Sequence, residues 1–519
     1  MPAMQQVDKD ILDFVLVETP TLGATRLVID INRRGDERIQ RWVMDQRKKN
    51  QRVETEFVPL SEISSRRLQL TIPSPDATGD LSESQKKVVA YLTLAEQHAA
   101  SDIHFTISRD LNLTIIEMRV HGELYVIDEL TAEEGRTLVS TIYLSMCDIH
   151  ETSFYDNKIQ SGRIDALYAR RAGLYGARYE HKPTADGLYV VLRTILDDGD
   201  HVPTLADQGF LPEQEKECQY ILRQPEGMVV LSGPTGSGKS TTLRVFSRMW
   251  LDQYQGRRRL LTQEYPIEGR TVGAVQTPVI PKSQSPDDVA QAWKDGDASL
   301  LRLDPDSIVN GEMREYHSLM SSIYASQTGH LLMSTLHSNS AVGILSRMAV
   351  MGVDRHLIAD AQLMVGLISQ RLVPVLCPHC RVPWHDKVPE LDEETHARLE
   401  QWCNEPGVCT PEQLYFRNPE GCPHCQKTLE LTGRIVSRGV IGRTAIAEVI
   451  RPDARFMSLW LSHGNAVARQ YWLNHRGGIS RRLHLLRRLS EGRVDPLEGD
   501  RVCPLDEDAV LASEVPHAA

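Results

Sequence analysis

The stretch Gly233-Pro234-Thr235-Gly236-Ser237-Gly238-Lys239-Ser240 has the spacing GxxxxGK[ST]. A loop of this kind binds phosphate. Its glycines let backbone N–H groups curl round the anion, and the helix that follows adds positive potential at its N-terminus. Lys239 is the cation for the β and γ phosphates, Ser240 offers a hydroxyl to magnesium, and Thr241 continues the same turn. The flanks agree with this assignment: Met228 to Leu231 reads as a short apolar strand and "STTLRVFSRMW" as a helix. A chance glycine-rich turn would lack both.

Three later stretches bring acids and histidines. "TQEYPIEG" ends a strand with Glu264 and Glu268. "DSIVNGEMR" runs Ile308 and Val309 into Asn310 and Gly311 before its first acid, Glu312. "TGHLLMSTLHS" sets His330 and His337 on either side of an apolar strand. An acid at the C-terminal end of a strand beside a phosphate loop is placed to orient water on a transferring phosphoryl group. Taken singly, a strand-end acid is a solvated cap and a lone histidine a structural residue; the loop is what raises them above that.

Two cysteine pairs, Cys377/Cys380 in "LCPHC" and Cys422/Cys425 in "GCPHC", are separated by 41 residues. Four thiolates suit a closed tetrahedral Zn2+ site with no open position for water, so the expected role is structural. A redox CxxC and a set of buried thiols are the other readings. Cys403 and Cys409, inside the interval, and His379 and His424, beside the pairs, are expected to stay off the metal.

These groups need elements to position them. Residues 1–75 are polar with basic clusters, and their role is unknown. "IPSPDATGDLSES" reads as a linker. Residues 83–198 mix helix and strand, as an α+β domain. "LDDGDHVPTL" is a second turn-rich break and the expected hinge. Residues 205–375 alternate short apolar strands with amphipathic helices, as an α/β sheet covered by helices. Residues 376–430 form a cysteine insert, and 431–519 a helical C-terminal region ending in a frayed tail. Within it, "SRRLHLLRRLSEG" reads either as a membrane-surface helix or as an amphipathic helix packed on its domain, and we favour packing.

Composition narrows the class. The chain has 519 residues, enough for two or three domains, with 41% hydrophobic and 25% charged residues, as in soluble globular proteins. The net charge of −12 argues against direct nucleic-acid contact. No apolar run reaches the ~18 residues of a membrane span. The N-terminus shows no secretory signal, and nine cysteines, an odd number, fit a reducing cytoplasm.

Together, "GPTGSGKSTTL … TQEYPIE … LRLDPDSIVNGEMRE … TGHLLMSTLHSNSA … ISQRLVPVLCPHC" resembles the secretion ATPases of type II secretion and type IV pilus assembly, over about residues 95–500. The resemblance implies a P-loop, RecA-like α/β core preceded by a smaller α+β domain, with ATP, Mg2+ and Zn2+ as cofactors. It assigns Glu312 as the base that activates water, Glu264 and Glu268 to an acid box, and the stretch from His330 to His337 to a histidine box. It assigns Arg178 and Arg193, with Arg163 a weaker candidate, to phosphate contact, which suits the planar guanidinium fork. The chain departs from the family at Tyr265, where Glu-Asp-Pro-Ile-Glu is usual; a tyrosine cannot replace a carboxylate ligand at neutral pH. The implied assembly is a homohexamer on an inner-membrane platform protein, cytoplasmic and peripheral to the membrane, powering pilus assembly or secretion. A tetracysteine insert marks assembly and secretion motors rather than retraction motors. The alternatives are a conjugation or DNA-uptake motor of the same fold, and a nucleotide-gated structural subunit with little hydrolysis.

Overall fold

Alternation of apolar and polar residues in "LTIIEMRV" buries every second side chain of the strand Leu113–Val120. That pattern recurs through the first large sheet of the computed structural model, which describes residues 14–18, 25–49, 53–58, 62–63, 81–197, 202–281 and 286–513. The expected linker falls mostly outside these residues, as do 198–201 of the expected hinge and 514–519 of the tail.

The chain forms two compact units, Met1–Ser82 and Glu83–Ala519. In the first, β1 (Val15–Glu18) pairs antiparallel with β2 (Thr25–Asp30), and β2 pairs parallel with β3 (Val53–Val58). The helix Glu37–Lys49 supplies Ile39, Trp42 and Val43 to a core with Leu27 and Ile29.

The second unit begins with the covering sheet. Its strands are β4 (Asp102–Ser108), β5 (Leu113–Val120), β6 (Glu123–Leu130), β7 (Cys147–Ile149), β8 (Gln160–Ile164), β9 (Leu174–Pro183) and β10 (Gly187–Leu196), in the order β6-β5-β4-β10-β9-β8-β7. All pairs are antiparallel. The helices Glu83–Gln97 and Ala132–Thr141 contribute Val88, Tyr91 and Leu138 to a core shared with Phe105, Ile116 and Val190. Beyond Thr141 the second helix runs on through a π-helical stretch, Ile142–Met146, and then becomes β7.

The second sheet carries the phosphate-loop motif and the strand-end acids. It comprises β11 (Gly227–Ser232), β12 (Leu260–Glu264), β13 (Val275–Pro278), β14 (Ser307–Asn310), β15 (Leu331–Leu336) and β16 (Met364–Leu376), all parallel, in the order β13-β12-β14-β15-β11-β16. β11 and β15 are buried along their whole length, as strands covered on both faces must be. Phe246 and Trp250 of the helix Lys239–Tyr254 pack on one face; Leu319, Ile344 and Trp460, from three other helices, pack on the opposite face.

Residues 431–519, expected to be helical, depart from that expectation in the short strand Ile435–Val436 and in one long element. β21 (Val440–Ile450; β17 to β20 are two-residue strands at Val382–Pro383, Tyr415–Phe416, Lys427–Thr428 and Ile435–Val436) runs antiparallel to β16 as the edge strand of the second sheet. The cysteine segment is therefore an excursion between two paired strands. It closes at Gly439 rather than at 430, because Leu376 faces Val440 and the Cys377 N–H donates to the Gly439 carbonyl, 2.9 Å.

The basic helix Arg481–Ser490 is packed. Arg481 and Arg488 are buried and all four arginines are paired: Arg481 with Glu507 (2.6 Å), Arg482 with Glu405 (3.2 Å), Arg487 with Glu213 (2.9 Å) and Arg488 with Glu491 (2.8 Å). Its Leu485, Leu486 and Leu489 share a core with Leu399, Phe416, Cys403 and Cys409 of the insert. Burial there pushes both thiols up to about 12, so these cysteines are core residues. Among the described residues, no helix is long and apolar enough to cross a membrane.

Candidate functional site

All parallel strands of the second sheet point their C-terminal ends at one edge, and the loop lies on it. Gly233, Gly236 and Gly238 take φ of 147°, 77° and 83°, backbone that a side chain would strain. A Cβ at Gly233 would lie 2.3 Å from the Gln370 carbonyl oxygen. Lys239 donates through Nζ to the carbonyls of Gly233 (2.7 Å) and Pro234 (2.9 Å), folding its cation back over the loop. Burial pushes its pKa down, against the fields of Glu312 and Glu268. The Ser237 hydroxyl is buried with no hydrogen-bond partner. Pro234, Thr235, Gly236 and Ser240 are exposed. A cradle that only glycine fits, an orphaned hydroxyl and a cation folded over the loop suit a phosphate chain with a divalent ion.

The acids gather at the same edge. Gly311 donates to the Gln263 carbonyl of β12 (2.9 Å) and its own carbonyl accepts from the Thr335 hydroxyl of β15 (2.8 Å). These two bonds fix the exit of β14, and Glu312 emerges from it 3.2 Å from His337 Nε2 and 2.8 Å from Arg314 Nε. Glu264 is held by the Thr262 hydroxyl (2.6 Å) and the Gln276 amide (3.2 Å), and burial pushes its carboxyl up. Glu268 is paired with Arg178, which the covering sheet sends across.

His330 is not part of this site, against expectation. β15 runs parallel to β11 from the Gly227 level to the Ser232 level. His330 precedes it and His337 follows it, so the two lie at opposite ends of the strand, seven steps or about 23 Å apart at ~3.3 Å per residue. The His330 ring bonds the Ala325 carbonyl, 3.0 Å, at the far edge.

Strand register in the covering sheet supplies what the sequence hid. Arg119 faces Asp102, Asp102 faces Arg193, Arg193 faces Arg178 and Arg178 faces Arg163. Residues directly opposite share a face, so four arginines and one aspartate form a single row across five strands. Arg193 Nε donates to Asp102 (2.9 Å), Arg119 lies 4.0 Å from the same carboxylate, and Arg163 pairs with Asp148. Like charges directly opposite destabilise a sheet unless an anion offsets them. In this structure Glu268 does so for Arg178. Arg119, absent from the sequence-based set, could have been found by its apolar/polar alternation phase only once the pairing partner was known.

The four cysteines converge as expected. Their sulfurs lie within 4.8 Å of one another and, among the described residues, they are the one convergent group of three or more His, Cys, Asp or Glu side chains. Cys377–Cys422 and Cys380–Cys425 are 3.8 Å apart and Cys422–Cys425 3.9 Å. A tetrahedral site with Zn–S of ~2.3 Å has sulfur–sulfur edges of about 3.8 Å, so the donor set fits Zn2+. Backbone N–H groups of Cys422 and Gly439 donate to the Cys425 sulfur, both at 3.2 Å, as a thiolate would require. His379 and His424 stack on each other at 3.9 Å and are not in the cluster.

Comparison with known proteins agrees with this architecture. Residues 78–484 match the family described as Type II/IV secretion system protein. The type II secretion system ATPase E of Vibrio cholerae is 32% identical over 388 residues, 73% of this chain and 69% of that protein. The type IV pilus assembly ATPase TfpB of Acinetobacter baylyi is 30% identical over 416 residues, 80% of this chain and 64% of that protein. The match thus spans about two thirds of the relatives' own length. Among solved structures, the ATPase DotB of Legionella pneumophila superposes with a TM-score of 0.51 at 20% identity, over 82% of this chain and 97% of that one, which shows a shared fold. With an arginine-bearing sheet, a phosphate loop and an acid edge following one another along the matched residues 78–484, the chain belongs to the type II/IV secretion system protein family.

Proposed function

We propose that this chain binds ATP with Mg2+ at Gly233–Thr241 and hydrolyses it. We further propose that it works as a homohexameric motor, cytoplasmic and peripheral to the inner membrane, that drives type IV pilus assembly or type II secretion through a platform protein. The observation that carries the reading is the meeting of Lys239, Glu312 and Glu268 at one strand edge, with Arg178 arriving from a second sheet. The names of the relatives, one secretion and one pilus ATPase, support the two cargo classes equally.

Bound Mg2+ would offset phosphate charge, held by Ser240 with the acid box at Glu264 and Glu268. Lys239 exchanges the Gly233 and Pro234 carbonyls for phosphate oxygens. Glu312 accepts a proton from the attacking water, and His337, 3.2 Å away, orients its carboxylate. Arg178 and Arg193 bring fixed positive charge to the transferring group. Cys377, Cys380, Cys422 and Cys425 hold Zn2+ in a structural role. Nucleic acid is not a partner in this reading.

Tyr265 favours one rival, a subunit that binds nucleotide without turning it over. One experiment separates them. Purified full-length chain should hydrolyse ATP only with magnesium, and Glu312→Gln should retain nucleotide binding while losing about 100-fold or more of turnover. Equal turnover in that variant removes Glu312 as the base; nucleotide binding without turnover in the wild type supports the rival.

A further inference from the structure

Gln370 belongs to β16, one residue beyond Ser369, which faces Ser232 at the end of β11. It is 1% exposed, and both ends of its amide are engaged. Nε2 donates to the carbonyl of Ser237 inside the phosphate loop, 2.7 Å, and Oε1 accepts from the Thr242 hydroxyl, 2.9 Å, in the first turn of the helix Lys239–Tyr254. Its own carbonyl abuts Gly233, and its amide nitrogen would lie 3.1 Å from a Cβ at Gly238. One residue thus touches the loop at its start through its backbone carbonyl, and at its end and its helix through its side-chain amide.

The consequence follows from peptide geometry. The Ser237–Gly238 bond is trans, so the Ser237 C=O and the Gly238 N–H point in opposite directions across one plane. Holding the carbonyl on Gln370 turns the Gly238 N–H the other way, towards the space the glycines leave for an anion. The choice of atoms is also fixed. Ser237 offers only an acceptor, so the amide must present Nε2 to it and Oε1 to Thr242. The Thr242 hydroxyl has one proton to give; Gln370 Oε1 at 2.9 Å is its nearest acceptor, ahead of Gln208 Oε1 at 3.0 Å and the Gly238 carbonyl at 3.2 Å. With the proton committed to Gln370, Gln208 satisfies Thr242 by turning its own NH2 towards the hydroxyl oxygen.

We infer that Gln370 is a positioning residue for phosphate binding, setting the Gly238 N–H through the Ser237 carbonyl, with Thr242 locking its orientation. The inference rests on the nucleotide reading of the loop and adds a residue outside the loop, acid and arginine sets. An apolar residue of the same length keeps the packing and loses the aim. A glutamate keeps the acceptor for Thr242, but its carboxylate faces the Ser237 carbonyl without a proton to share; once protonated it can donate again.

The test is the dissociation constant for ATP in full-length protein, with kcat and KM measured alongside. Gln370→Met should weaken ATP binding about tenfold or more, with kcat at saturation changed less than threefold. Should that variant fail to fold, Thr242→Val, which removes only the lock, should weaken binding about threefold. Gln370→Glu should regain affinity, relative to wild type at the same pH, as pH falls from 8 to 6, a response that loss of packing would not produce. Wild type that binds ATP while Gln370→Met and Thr242→Val bind within twofold of it overturns the inference and leaves the nucleotide reading standing. Wild type that binds no ATP removes both.

Discussion

Asp297 is the buried acid behind the site, and replacing it with asparagine should make the protein more stable at neutral pH. It lies on the helix Pro286–Leu300, where Oδ1 accepts from Gln263 Nε2 (2.9 Å) and the Ser321 hydroxyl also favours the carboxylate, while Oδ2 is buried outside good hydrogen-bond geometry. Gln263 fits there because position 296 is glycine; a Cβ would lie 2.3 Å from its side-chain oxygen. Burial pushes the Asp297 carboxyl up from 3.8 to about 7, with hydrogen bonding only partly opposing it. Below about pH 4 both folded and unfolded chains hold the proton. Between about 4 and 7 the unfolded chain releases it and the folded chain keeps it, so stability falls as pH rises. Above about 7 the loss is complete. A shift of about three pH units corresponds to roughly 4 kcal/mol at ~1.4 kcal/mol per unit. Asparagine removes that term but buries an NH2 in place of Oδ2, at a cost of about 1–3 kcal/mol. The net expectation is Asp297→Asn close to or below wild type at pH 4 and about 1–3 kcal/mol above it at pH 8. Thermal melts and amide hydrogen exchange in Pro286–Leu300, taken as variant minus wild type at each pH, cancel the other titrating groups. A difference that stays constant from pH 4 to 8 would show that Asp297 ionises normally and refute the reasoning.

Two further outcomes test the site directly. Arg178→Ala should lower ATP turnover tenfold or more, about 1.4 kcal/mol of transition-state stabilisation, because no lysine can reproduce its fork; an unchanged rate removes the arginine from the reaction. Metal analysis should find one zinc per chain, and Cys377→Ser with Cys422→Ser should bring it below a tenth of that and loosen the excursion 377–439 in hydrogen exchange; a metal-free wild type that melts normally would show the sulfurs hold no ion.

Groups whose meaning is local in the chain were legible before any coordinates. Gly233 to Ser240 carry their phosphate-binding groups in one short stretch, and each Cys-Pro-His-Cys knuckle brings two sulfurs with a fixed spacing. Groups whose meaning depends on strand direction or pairing were not. His330 and His337 look equivalent in "TGHLLMSTLHS" until β15 is given a direction relative to β11. Arg163, Arg178 and Arg193 look scattered until β8, β9 and β10 are in register. "VIGRTAIAEVI" lies in a region otherwise helical, and its last seven residues are buried on both faces, which erases the period that would mark a strand.

The offset of Glu312, the proposed base, from the strand end then has a physical reason. β14 is buried through Asn310, which is 2% exposed with its Oδ1 unpartnered and its Nδ2 on the Ser322 hydroxyl, 3.2 Å. An ionised carboxylate at 310 would sit in that apolar slot with one hydroxyl for company, and burying an unpaired charge costs several kcal/mol. Asparagine is the neutral group of the same shape. Two residues later the chain has left the sheet, and Glu312 reaches His337, Arg314 and the field of Lys239 from a position with access to solvent. Gly311 makes the step possible: a Cβ there would press to 3.3 Å on the Gln263 carbonyl, the acceptor of its own N–H. Asp297 closes the argument from behind, since it holds the Gln263 side chain whose backbone holds Gly311. The acid is where it is because the buried strand end is tied down by neutral groups, leaving Glu312 as the carboxylate that the exit of β14 presents at the loop edge.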